Sequence, residues 1–198
     1  MTYKPYLELV RKHFSFLNDH FNFASPLQLS SDNDPQGYGR YALIKYLSAW
    51  AFVIIERERD NVLSVRMGPL SEENGLAIEW IVEFLTDRNK TIDFKPYIEL
   101  KRTAWTIRQY SDVSQAYREG RDVRQYGNKA VVTAIVKELD REQAWEEYRL
   151  ATYASAIQHY CEPFLSGDFS KWPNLCKYVD QKIEDRIRSW THNGAKHN

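Results

Sequence analysis

Three runs rich in β-branched and aromatic residues follow one another almost without interruption: Tyr41 to Leu47, Trp50 to Glu56 and Val62 to Met67. Only Ser48-Ala49 and Arg57 to Asn61 separate them. Connections that short join neighbouring strands running in opposite directions, so this stretch predicts an antiparallel meander. Glu56, Glu58 and Arg66 fall among its apolar positions, as expected if one sheet face is wet and helices cover the other. The rest of the chain must supply that cover.

The flanking periodicity is helical. Tyr3, Tyr6, Leu7, Val10, Phe14, Leu17 and Phe21 share one face of an opening helix, with Lys4, Glu8, Arg11, Lys12, Ser15 and Asp19 on the other. Ser30 to Arg40 gathers Ser, Asp, Asn, Pro and Gly and reads as an exposed loop, preceded by a short Phe23 to Leu29 segment. After the stop at Pro69 and Ser71, Leu76 to Thr86 predicts a second helix on Ala77, Trp80, Ile81, Phe84 and Leu85. Asn89 to Lys101 is ambiguous between strand and loop, and from Thr103 the character is helical. Ala130 to Tyr160 has no Gly or Pro, which fits one long helix or two abutting ones; Asp140 followed by Gln143 has capping-box form and marks a potential break. Gly167 and Pro173 bracket a tight connection that Phe169 and Trp172 can clamp. Leu175, Tyr178, Val179, Ile183, Ile187 and Trp190 then stripe a last amphipathic helix, with a tail that frays from Thr191. The expected fold is α+β: an N-terminal helix, a small antiparallel β-meander covered by helices, and a helical C-terminal half with a long helix and a final helical hairpin. Residues 1–100 and 101–198 divide it, sharing one core.

The chain's 198 residues suffice for a sizeable core, and its 43% hydrophobic and 14% aromatic content excludes disordered and low-complexity classes. Basic and acidic residues balance at 27 each, so no whole-molecule field draws the protein to nucleic acid or an anionic membrane. Two cysteines, Cys161 and Cys176, are too few for a disulfide framework, and the N-terminus has Lys4, Pro5 and Glu8 where a signal peptide needs an apolar run. A cytoplasmic location is the expectation. The longest strongly apolar run, Ala49 to Ile55, is far short of the ~20 residues of a membrane-spanning helix.

The constellations that could carry chemistry each have a plainer reading. Asp32, Asp34, Gln36 and Gly37 match the start of an EF-hand calcium loop, but Leu43 stands where the bidentate Glu belongs, which favours a plain turn. Asp93 with Glu99-Leu100-Lys101 has the form by which some nucleases hold Mg²⁺ and orient water, although Pro96 lies between the acids. A small metal-dependent nuclease is therefore the enzymatic alternative. His159, Cys161 and Cys176 lack the paired spacing of a zinc site, and His13 and His20 read as surface residues, so no metal site is expected. Lys101 to Lys129 holds seven basic residues against three acids, interleaved with Trp105, Tyr110, Tyr117 and Tyr126. That composition suits a nucleic-acid adaptor, and a solvated helix explains it as well. Residues 1–100 hold 14 acids and 11 bases. No Walker A, G-x-G-x-x-G, G-x-S-x-G or H-E-x-x-H occurs, and no cofactor is expected. Lys4 to Leu9 recurs almost unchanged as Lys95 to Leu100, but with no counterpart of the meander after the second copy it is a coincidence rather than a duplication.

The stretch Phe14-Ser15-Phe16-Leu17-Asn18-Asp19-His20-Phe21-Asn22-Phe23, the meander closing on Leu63-Ser64-Val65-Arg66-Met67-Gly68, and the run from Tyr160 to Pro173 together resemble a loose group of small uncharacterised bacterial α+β proteins. Some proteins of this general kind are immunity proteins of bacterial toxin systems. The resemblance implies a non-enzymatic protein-binding module that neutralises a toxin domain, and transfers no catalytic residue. A neutraliser of a basic toxin needs exposed acids near aromatic rings. The loop with Asp32, Asp34 and Tyr38 and the turn with Glu72 and Glu73 are the places where acids cluster outside a helical stripe, and both adjoin strands, which could set them near one end of the sheet.

Overall fold

The structure, a computed structural model, describes residues 6–28, 42–57, 62–92, 94 and 107–194. Helix α1 (Tyr6–Phe21) ends where Asn22 takes φ +55°, and the Phe23 amide reaches back to the Leu17 carbonyl at 3.0 Å. That is the left-handed stop that Asn tolerates better than most residues. Five strands follow in chain order, β1 (Leu27–Gln28), β2 (Ala42–Leu47), β3 (Ala51–Arg57), β4 (Leu63–Pro69) and β5 (Leu76–Ala77), each antiparallel to its neighbour. The meander is thus present, one or two residues from the expected boundaries, and widened by two short edge strands. Leu76 and Ala77 pair with Met67 and Arg66 instead of opening the next helix, so α2 is Ile78–Leu85.

Register sorts the faces. Ala42, Ile44 and Tyr46 align with Val53, Ile55 and Arg57 and with Leu63, Val65 and Met67, and the apolar members of this set are core. The opposite face carries Lys45, Glu56 and Arg66; Arg66 donates to Glu56 at 2.7 Å, and the Lys45 ammonium lies 4.8 Å from the Phe52 ring. One face is helix-covered; the other is not the wet face expected, because it mixes these polar side chains with Phe52 and Ile54, both of them buried.

Helix α3 (Ile107–Arg118), a short 3-10 turn (Val123–Tyr126), α4 (Lys129–Tyr160), α5 (Glu162–Leu165) and α6 (Trp172–Gly194) complete the fold. Asn128 caps α4 by accepting the Ala130 amide at 2.8 Å. Of the two alternatives, one long helix or two abutting ones, the first holds: the Asp140 carboxylate accepts the Tyr117 hydroxyl from α3, and Gln143 is buried, so neither side chain caps a helix start. At 32 residues α4 is about 48 Å long and serves two cores. Its second half, with Leu150, Tyr153 and Ile157, joins α1, the sheet, α2, α5 and α6. Its first half packs Val132, Ile135 and Leu139 on Val113 of α3. The clamp expected around Gly167 forms: Phe164 and Phe169 stack at 5.4 Å and Trp172 meets both rings edge-on. Helix α6 continues through Gly194, past the expected fraying point. Among the described residues, no helix is long and apolar enough to cross a membrane.

Candidate interaction surface

One end of the sheet presents apolar and acidic side chains together. Between β2 and β3, Ser48 Oγ accepts the Ala51 amide at 3.0 Å, and the turn thrusts Trp50 outward. Its indole Nε1 donates to the Leu165 carbonyl at 2.7 Å, leaving the rest of the ring partly exposed. Gly167, at φ +89°, lies flat against that indole, where a Cβ would come 3.0 Å from the ring. Between β4 and β5 the Leu70 amide donates to the Trp50 carbonyl at 3.0 Å, which sets the two side chains side by side, with Leu70 48% exposed. The Glu72 amide closes a turn on the Pro69 carbonyl. Glu72 and Glu73 point into solvent and enter no ion pair among the described residues. Burial pushes the Cys176 thiol up, and the Glu72 and Asp180 carboxylates push it further, so the turn stands next to the start of α6.

Asp32, Asp34 and Tyr38 lie outside the described residues. The strand residues on either side of that stretch, Gln28 and Ala42, belong to the sheet end that carries Arg57 and Leu63. Glu72 and Glu73 follow Pro69 at the opposite end, about 20 Å away along six residues of strand. The Glu72–Glu73 turn thus springs from the sheet end away from Gln28 and Ala42.

Asp93, Glu99 and Lys101 likewise lie outside the described residues. Cys161 ends α4 fully buried, and burial alone raises its thiol to about 12; His159 is exposed and packs edge-on to Tyr160. Among the described residues no three His, Cys, Asp or Glu side chains gather as metal ligands. His13 is not a surface residue as expected: it is largely covered between α1 and α4, with Nε2 3.5 Å from Glu147, which also takes the Lys12 ammonium. In the basic region, Arg108, Arg121 and Arg124 face Asp112, Glu119 and Asp122 in ion pairs. Tyr110 and Tyr117 donate to Glu142 and Asp140 of α4, so the rings serve the smaller core.

Sequence reasoning missed a buried charged cluster where α4 crosses the other end of the sheet. Arg57, the last residue of β3, donates to Glu146 at 2.6 Å and lies 4.8 Å from the Tyr6 ring. Arg149 donates to the Leu63 carbonyl at 2.9 Å between Trp145 and Phe94, whose rings are 4.5 and 5.4 Å away. Tyr153 donates to Glu79 of α2, and burial pushes its hydroxyl pKa far up. Burial also pulls the Arg149 pKa down. The cluster ties β4 beyond its short pairing with β5 to α4, satisfying an edge carbonyl that would otherwise be left open. Arg57 continues the buried alternation of β3, and Trp145, Arg149 and Tyr153 recur at four-residue spacing; those were the available signals.

No family model, curated protein or solved structure matches the chain.

Proposed function

We propose that the protein is a non-enzymatic binding module that neutralises another protein, in the manner of an immunity protein against a basic bacterial toxin domain. The observation that carries the reading is the juxtaposition at one end of the sheet of exposed Trp50 and Leu70 with exposed Glu72 and Glu73, which enter no ion pair among the described residues. Desolvated rings supply binding energy at protein interfaces, and charge of one sign speeds encounter with a partner of the other. A rigid hairpin end fixed by Leu165 and Gly167 presents both without a folding cost at binding.

The test is a purified toxin candidate taken from the genes beside this one, followed by stopped-flow association. Reversing Asp32, Asp34, Glu72 and Glu73 together slows association and steepens no other property, with the far-ultraviolet spectrum unchanged. Unaltered association in the folded variant places the docking surface elsewhere. Metal-dependent nicking of plasmid DNA that disappears in Glu99→Gln would overturn the non-enzymatic reading.

A further inference from the structure

We infer that residues 107–139, comprising α3, the 3-10 turn and the first half of α4, form a lobe that opens as one unit while the sheet and the helices on it stay closed. The lobe has a core of its own. Val113, Val132, Ile135 and Leu139 bury one another, ringed by Tyr110, Tyr117 and other partly buried side chains. Among the described residues, none of these joins the larger core. Leu139 is the last α4 side chain of the small core and Leu150 the first of the large one, about 17 Å further along the helix. Between them no apolar side chain is buried; the buried positions are Gln143 and Arg149. The polar partners divide within that waist. Asp140 and Glu142 accept the hydroxyls of Tyr117 and Tyr110 on α3, whereas Glu146, Glu147 and Arg149 reach Arg57, Lys12 and the Leu63 carbonyl of the main body.

The remaining ties of the lobe are local. Among the described residues, the ion pairs of α3 and the 3-10 turn stay inside it: Arg108 with Asp112, Arg121 with Glu119, and Arg124 with Asp122. Its stops and starts are local too, with Gly120 at φ +67° after α3 and Asn128 capping α4. A helix pair continuous in the chain and closed on a small core is the kind of unit in which proteins open short of unfolding. Helix α4 fixes where the opening ends. A helix segment that loses its packed face is marginal in water, because most helical stability in proteins comes from that face. Once α3 leaves, the first half of α4 frays from Asn128 until Glu146, Glu147 and Arg149 hold it to the main body. Opening therefore bares Val132, Ile135 and Leu139, an apolar surface absent from the closed state, and stops inside one unbroken helix.

Native-state amide hydrogen exchange on the full chain, resolved by residue with NMR and repeated at several sub-denaturing urea concentrations, tests this. Relative to their intrinsic rates, the amides of Val113, Ile135 and Leu139 exchange about 100-fold or more faster than those of Val53, Ile55, Tyr153 and Ile157. Their exchange depends less on urea, since a small opening exposes less surface than global unfolding. Within α4, protection steps up between Leu139 and Leu150. Tyr117→Phe removes a tie across the lobe and speeds exchange of the lobe amides about tenfold. Ile55→Val speeds exchange of the β3 amides about fivefold and leaves the lobe amides as they were, because the sheet is still folded when the lobe opens. Equal protection and equal urea dependence in the two sets would overturn the inference. So would Ile55→Val speeding both sets alike, Tyr117→Phe leaving the lobe unchanged, or a step in protection elsewhere in α4. Rapid exchange confined to α3, with Val132 to Leu139 as slow as Tyr153, would also overturn it, since α3 would then detach alone.

Discussion

Replacing Glu146 by Leu should destabilise the protein far more than replacing its partner Arg57 by Met. The two side chains share one hydrogen bond of 2.6 Å, but Arg57 is 4% exposed and Glu146 21%. Removing the carboxylate strands a guanidinium in the core beside the Tyr6 ring, a loss of about 3–5 kcal/mol for an uncompensated buried charge. Removing the guanidinium leaves a carboxylate that water still reaches, at about 1–2 kcal/mol. Replacing both fills the space with apolar groups and leaves no orphan, so the double variant should lie within about 1 kcal/mol of the parent. For a chain of this length, 3 kcal/mol corresponds to a fall in Tm of about 6–12 °C. Urea unfolding of the four proteins at neutral pH gives the complete cycle. If the single effects simply add in the double variant, or if Arg57→Met costs as much as Glu146→Leu, burial of the guanidinium is not what makes the pair matter.

The Lys12 ammonium holds the Glu147 carboxyl below the usual range, and Lys182 does the same for Glu83. Both pKa values are depressed in the folded state, so their stabilisation is present above the ordinary carboxylate range and is lost as pH falls through it; urea midpoints measured from about pH 7 to pH 3 should drop, less steeply in Glu147→Gln. Gly75 holds φ +61° with the Met67 carbonyl oxygen 2.5 Å from where a Cβ would sit, so Gly75→Ala should cost about 2–3 kcal/mol in thermal unfolding, and a neutral result would mean the β4–β5 turn relaxes freely. Cys161, raised to about 12 by burial, should resist a thiol reagent at mild alkaline pH until the protein unfolds, while the partly exposed Cys176 reacts first; simultaneous labelling of both in the native protein would contradict the buried placement of Cys161.

The local pattern of side chains determined the elements of this protein and which faces they bury. Strand alternation in Ala42 to Met67 and the stripes of α1 and α6 report a residue's exposure at period two or 3.6, and that information is carried by near neighbours in the chain. Backbone stops at Asn22 and Gly167 are local for the same reason: they depend on one residue's allowed φ. What the chain could not show by itself is every feature made by distant partners. Asp140 has the form of a cap, yet Tyr117 from another helix claims it, and α4 runs on unbroken. Leu76 and Ala77 have helical periodicity, yet the open edge of β4 captures them. Arg57, Glu146, Arg149, Tyr153 and Glu79 come from three elements, and nothing in their spacing requires them to meet. The same holds for the surface: the register of the sheet placed Glu72 and Glu73 at the end away from Gln28 and Ala42, and the point where α2 ceases to accompany α6 decided which part of one continuous apolar stripe is core and which part faces water.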